Sequence, residues 1–169
     1  MAAGTVAAVS FPSILHAQAK KPINAVVIGG GGRGRGAGMD FINAAKIVGV
    51  DAKIVGIAEV FQRNLDDSVR EWKNQGVEVP KSNCFLGLDA YMKVLQLPDV
   101  NYAIIATPPG FKPAQFKACI EQGKNVFTEK PVAADGAGCR IMFAAGEEAT
   151  KKGLKVAAGT QRRHEAGYQ

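Results

Sequence analysis

The sequence is poor in the residues that build metal centres and disulfide frameworks. Its 169 residues hold three cysteines, Cys84, Cys119 and Cys139, an odd number with no Cys-x-x-Cys pair. Neither a disulfide scaffold nor a structural zinc site is expected from that pattern. Of the two histidines, His16 and His164, the first lies in the N-terminal stretch, so no multi-histidine metal site can be assembled. No apolar run approaches the roughly 20 residues of a membrane-spanning helix, and stable membrane insertion is not expected. The net charge of +6 admits anionic ligands. The basic residues are scattered, however, with no stripe interleaved with aromatics, so nucleic acid is not an expected partner. With 47% hydrophobic and 21% charged residues, the chain is neither disordered nor fibrous, and its length suits one domain.

Charge is also missing from the N-terminus: residues 1–19 carry no ionisable side chain except His16. A short apolar run, Val6 to Leu15, is followed by the small-x-small triplet Ala17-Gln18-Ala19 and then by Lys20-Lys21-Pro22. That order matches an export leader with a signal-peptidase site. The modest hydrophobicity suits the twin-arginine type, although no Arg-Arg precedes it. Residues 1–19 are therefore read as a leader, with a periplasmic or secreted destination; without it the protein would be cytoplasmic.

What is abundant is glycine, 20 residues against 8 prolines, and seven of the glycines fall between Gly29 and Gly38. Such clustering marks one backbone-rich binding loop rather than a low-complexity tract. Around it, strands and helices alternate. Ile23 to Ile28 is a continuous apolar run, as in a strand buried on both faces of a parallel sheet. Further strands are read at Lys53–Ala58, Cys84–Leu86, Tyr102–Ala106, Asn125–Thr128 and Lys155–Ala158. Helices between them show apolar stripes: Ala37, Phe41 and Ala45; Leu65, Val69 and Trp72; Met92 and Leu95; Phe116, Cys119 and Ile120; Cys139, Met142 and Phe143. Asp89 and Asp135 are expected to cap two of these helices, and Gly76, Gly123 and Gly153 to stop three. The fold class is α/β, a doubly wound parallel sheet with strand order 3-2-1-4-5-6.

Gly29, Gly31 and Gly34 form G-x-G-x-x-G between a strand and a helix, the context in which this motif gains meaning. The first glycine allows the turn, the second lets a pyrophosphate approach the backbone, and the third lets helix and strand pack closely. Gly32 and Arg33 belong to the same loop. Arg33 and Arg35 put positive charge at the positive end of a helix dipole, a conflict that a bound pyrophosphate would relieve. Glu59, 25 residues after Gly34, ends the second strand where a carboxylate can accept from ribose hydroxyls and repel a 2′-phosphate. That favours NAD, whereas Arg63, one turn on, could pair with the extra phosphate of NADP. Thr107-Pro108-Pro109 and Glu129-Lys130-Pro131 follow the fourth and fifth strands, at the sheet edge where such folds bind ligands. Lys130 can donate to a substrate hydroxyl and favour its deprotonation.

Together IGGGGRGRG, Glu59, ATPPGFKP (Ala106 to Pro113), GKNVFTEKP (Gly123 to Pro131) and GTQRRH (Gly159 to His164) resemble the Gfo/Idh/MocA oxidoreductases, over about Ile23 to Gln169. The resemblance implies an NAD(P)-binding Rossmann domain joined to a C-terminal α/β substrate domain, acting on sugars, polyols and related carbonyl compounds. It makes Lys130 the active-site lysine, with Glu129 holding and positioning it. Thr107, Pro108 and Pro109 would line the nicotinamide side. Many members carry His near Phe111 or Lys112, and this chain departs from them there. The family's acid/base Asp and His, on the C-terminal domain, lie beyond Gln169.

The expected layout is thus a leader at 1–19, an NAD(P)-binding domain at 20–160, and at 161–169 the start of a connection to a substrate domain. Catalysis is assigned to Lys130 and Glu129. Cofactor contacts fall to Gly29, Gly31, Gly32, Arg33, Gly34, Glu59, Arg63, Thr107, Pro108, Pro109 and Glu129. Substrate contacts fall to Lys130, Arg162, Arg163 and His164. The expected partner is a sugar- or polyol-like small molecule, with a homo-oligomer in the full-length protein. Two other activities fit the same residues: NAD-dependent glycoside hydrolysis, and nucleotide binding without turnover.

Overall fold

The computed structural model describes residues 22–168; the leader reading at 1–19 lies outside them. Six parallel strands form one sheet: β1 (Ile23–Ile28), β2 (Ala52–Glu59), β3 (Cys84–Leu86), β4 (Tyr102–Ile105), β5 (Asn125–Glu129) and β6 (Val156–Gly159). Their order across the sheet is β3-β2-β1-β4-β5-β6, as expected. The order reverses beside β1, and that puts the loops after β1 and β4 next to each other at one edge.

The strands read as apolar runs because helices cover both faces. On one face α1 (Gly32–Val48) and α2 (Gln62–Asn74) pack Ala37, Ile42, Leu65 and Trp72 onto Ala25, Val27, Ile57 and Ile104. On the other, α3 (Ala90–Leu95), α4 (Lys112–Glu121) and α5 (Gly136–Lys151) cover Val26, Ile28, Ala103 and Ile105. Alternate residues of β1 thus serve opposite cores, and none from Ala25 to Ile28 is more than 2% exposed.

The capping expectations divide. Asp135 Oδ1 accepts from the Gly138 amide at 2.6 Å and starts α5. Asp89 stands at the start of α3, but its side chain makes no capping bond and pairs instead with Lys93 at 2.9 Å. Gly76, Gly123 and Gly153 each follow a helix with positive φ.

The expected inner face of α5 is wrong. Met142 packs into the core, but Cys139 is exposed and Phe143 is 75% exposed. The buried stripe is Gly138, Ala145 and Ala149. Small residues fill it because α5 lies close against α4: a Cβ on Gly138 would come within 3.0 Å of the Pro113 ring. Size was a poor guide where close approach decides packing.

The thiols separate in the same way. Cys119 is fully buried, and loss of hydration pushes its pKa up to about 12, whereas Cys139 faces solvent. A disulfide-exchange reagent at pH 8 should label Cys139 rapidly and Cys119 only after denaturation. Rapid native labelling of Cys119 would contradict this burial.

Candidate functional site

The site starts where β1 runs out. Gly29 has φ +96°, and a Cβ there would lie 2.9 Å from the Thr107 amide nitrogen, so the turn needs glycine on conformational and steric grounds. Gly34 packs on the same peptide: a Cβ on it would sit 1.8 Å from the Gly29 carbonyl oxygen. Gly31 is different. A Cβ there would meet no atom within 4 Å, and Gly31 borders a cavity of about 770 Å³. No side chain caps α1, which begins at Gly32, so its leading amides are open to an acceptor from outside the chain.

This cavity runs along the carboxyl ends of β1 to β4. Arg33, Glu59, Thr107 and Pro108 line it, as do Phe61 and Leu88. Phe61 and Leu88 are 66% and 67% exposed, and apolar walls with a few polar groups are what small-molecule sites present. Pro109 and Arg63, both expected here, do not line it. Arg63 is 91% exposed, with Asp67 3.8 Å away. In its place Asn64, Gln115 and Tyr91 reach the cavity, none of them marked by a sequence motif. The Thr107 hydroxyl donates to Gln115 Oε1 at 2.5 Å, which fixes the loop after β4.

Glu59 is buried, and its carboxylate holds the loop together. Oε2 accepts from the Gly30 amide at 2.6 Å; Oε1 accepts from the amides of Val60 at 2.6 Å and Phe61 at 3.1 Å. An ionised carboxylate offers about four acceptor positions, so roughly one remains toward the cavity.

The charge conflict expected at α1 is settled inside the chain. Arg33 Nε and Nη2 both bond Glu129 Oε1, at 2.7 and 2.5 Å, and Asp40 lies 3.5 Å from Nη1. The hydrogen bond to Glu129 holds the Arg33 guanidinium above its usual pKa. Arg35 is balanced by Glu71 at 3.2 Å and Asp67 at 3.6 Å. Glu129 is 3% exposed, a buried charge that requires its partner. Its carboxylate lies against Gly159, where a Cβ would come within 2.7 Å of Oε2.

Lys130 follows at the end of β5 and is exposed; the peptide to Pro131 is cis. It lines a second cavity, of about 480 Å³, with Gly159, Thr160, Arg162 and Arg163. The expected substrate residues Lys130, Arg162 and Arg163 are therefore brought together. The Arg162 guanidinium sits 5.3 Å above the Tyr168 ring, and the side chain of His164 lies outside the described ones. Arg33 joins the two cavities, since it lines the first and bonds the residue before Lys130.

Lys112 was missed as part of the site. It is 2% exposed, and its ammonium donates to the carbonyls of Glu129 and, at 2.9 Å, of Pro131. Burial pushes its pKa down; Glu129 opposes that shift and Lys130 adds to it. A lysine next to a proline at a helix start reads as a surface residue, and only its neighbours Phe111, Pro113 and Phe116 hint otherwise.

The model of the oxidoreductase family with the NAD-binding Rossmann fold, Gfo/Idh/MocA, matches residues 23–159. The chain belongs to that family. Among solved structures, scyllo-inositol dehydrogenase from Lactobacillus casei with bound NAD(H) and scyllo-inositol is 25% identical, with TM-score 0.67. Myo-inositol 2-dehydrogenase from Lactobacillus plantarum is also 25% identical, with TM-score 0.67. Each alignment covers 88% of this chain and 39% of the other. Aldose-aldose oxidoreductase from Caulobacter crescentus, 20% identical with TM-score 0.64 over 87% of this chain and 40% of that one, shares the fold. No relative is found among curated proteins. This Gfo/Idh/MocA chain spans about two fifths of the length of those structures.

The residues present fit a dinucleotide. The open space at Gly31 borders the larger cavity, and the start of α1 faces it without a side-chain cap.

Proposed function

We propose that this chain is the cofactor half of an NAD(P)-dependent oxidoreductase acting on a sugar- or polyol-like secondary alcohol. The observation that carries the reading is the Arg33–Glu129 bond, which ties the glycine loop to the strand end bearing Lys130. When bound, the nicotinamide supplies the hydride acceptor or donor.

The chain's own residues divide the remaining tasks. The amide of Gly31 and the leading amides of α1, at Gly32, Arg33 and Gly34, hold the pyrophosphate. Glu59 offers its remaining acceptor position to the adenosine ribose and repels a 2′-phosphate. Thr107 and Pro108 bound the nicotinamide side, and Pro109 follows them in the same loop. Lys130 donates a hydrogen bond to the substrate hydroxyl and stabilises negative charge on that oxygen as its proton leaves. Arg162, Arg163 and His164 flank the substrate, residues 161–169 begin the connection to the substrate domain, and the proton goes to a base on that domain.

Two measurements test this. NADH should bind more tightly than NADPH by about tenfold or more, the ratio that about 1.4 kcal/mol of repulsion gives; tighter NADPH binding would remove Glu59 from the ribose. In the protein with its substrate domain, a polyol should give net NADH. Release from a chromogenic glycoside without net NADH would replace oxidoreduction with glycoside hydrolysis, and no turnover of either would leave a binding module.

A further inference from the structure

The reading of Lys130 leaves open what aims it. Its side chain is exposed at the end of a strand, and a four-carbon stem with a free end is a poor tool for positioning a proton donor. The backbone beneath it is held from an unexpected direction. Lys112, in the first turn of α4, is buried, and its ammonium reaches back to the carbonyl oxygens of Glu129 and Pro131. These belong to the residues on either side of Lys130.

A buried ammonium is costly to desolvate, and an apolar residue would fill the same volume at less expense. What an apolar residue cannot do is bond two carbonyls at once. Nor is the anchor loose: Pro113 beside it packs against Gly138 of α5. Upstream of α4 lies the Thr107 loop, itself fixed by the Thr107–Gln115 bond. Lys112 thus ties the turn at Lys130 to the element that bounds the larger cavity, while Arg33 ties Glu129 to the glycine loop.

We infer that Lys112 is a positioning residue for Lys130, holding the 129–131 backbone so that the Lys130 ammonium meets the substrate hydroxyl. The inference rests on the proposed role of Lys130. Lys112 touches neither substrate nor cofactor and acts only through that turn.

The test is a cycle of Lys112→Met, Lys130→Ala and the double variant, in the protein with its substrate domain. Lys112→Met should lower kcat about 10- to 100-fold, as small misplacements of a reacting group do. The dissociation constant for NADH should change by less than about threefold, because the glycine loop is untouched. Lys112→Arg, which keeps donors to both carbonyls, should restore most of the rate. In the Lys130→Ala background, Lys112→Met should cost less than about twofold more, since there is nothing left to aim. Without cofactor, the amide NMR resonance of Lys130, part of the peptide whose carbonyl accepts from Lys112, should shift in Lys112→Met and return in Lys112→Arg. If Lys112→Met does not fold, Lys112→Gln takes its place.

A wild-type kcat in Lys112→Met beside a slow Lys130→Ala overturns this inference alone. So does a Lys112→Met loss that persists undiminished in the Lys130→Ala background. Wild-type turnover in Lys130→Ala overturns the role of Lys130, and this inference with it.

Discussion

Gly34→Ala should cost the protein both its cofactor and much of its stability, whereas Gly31→Ala should cost the cofactor alone. The difference lies in what each new methyl meets. At Gly34 it would sit 1.8 Å from the Gly29 carbonyl oxygen and 2.9 Å from the Gly29 carbonyl carbon. Both are backbone atoms of a turn that Thr107 closes from the other side, so neither can retreat. Overpacking of this kind costs about 3 kcal/mol or more, a fall in melting temperature of about 6–12 °C for a chain of this size. At Gly31 the methyl meets nothing within 4 Å, and the backbone there is ordinary, with φ −62° and ψ 179°. The melting temperature should stay within about 2 °C, because alanine's smaller unfolded-state entropy offsets its poorer capping. NADH affinity should nonetheless fall about 100-fold, since the methyl fills the space assigned to the pyrophosphate. Calorimetry and NADH fluorescence on the two variants check both halves. A Gly31→Ala protein that binds NADH normally would move the pyrophosphate elsewhere.

Lys130→Ala should lower kcat by about 10²- to 10⁴-fold, the usual range for loss of a group that assists proton transfer. Its side chain is exposed, so the melting temperature should barely move. NADH binding should also survive, because the larger cavity is lined by other residues. This combination separates a catalytic loss from a folding loss, and steady-state kinetics beside a binding curve reads it. If kcat fell by only a few-fold, the lysine would not be the group that meets the hydroxyl.

The sequence was most legible where one residue's surroundings follow from its own run. Ala25 to Ile28 are apolar because both faces of β1 are covered, and the need for glycine at Gly34 follows from a contact only five residues back, with Gly29. Legibility failed where partners come from distant elements. Arg33 looked uncompensated beside a helix start because Glu129, 96 residues away, is brought to it only by the order of the strands. Lys112 enters the sequence reading only as a departure from the family's pattern, because its acceptors are backbone carbonyls, which carry no sequence signature. On α5 the larger apolar residues drew the prediction outward, while Gly138, Ala145 and Ala149 carried the packing. Glu59 was read by position alone; its bond from Gly30 depends on how the loop after β1 meets the end of β2, while those from Val60 and Phe61 are local.

Those bonds at Glu59 bear on any attempt to re-engineer the chain for NADP. The obvious exchange, removing the carboxylate proposed to repel a 2′-phosphate, would also take the acceptor from the amides of Gly30, Val60 and Phe61. A shorter aspartate would have to span the same donors with one carbon fewer. On the proposed ribose role, cofactor choice and loop shape share a single side chain. A designer would do better to leave Glu59 alone and work from Arg63, whose exposed side chain holds up none of the loop.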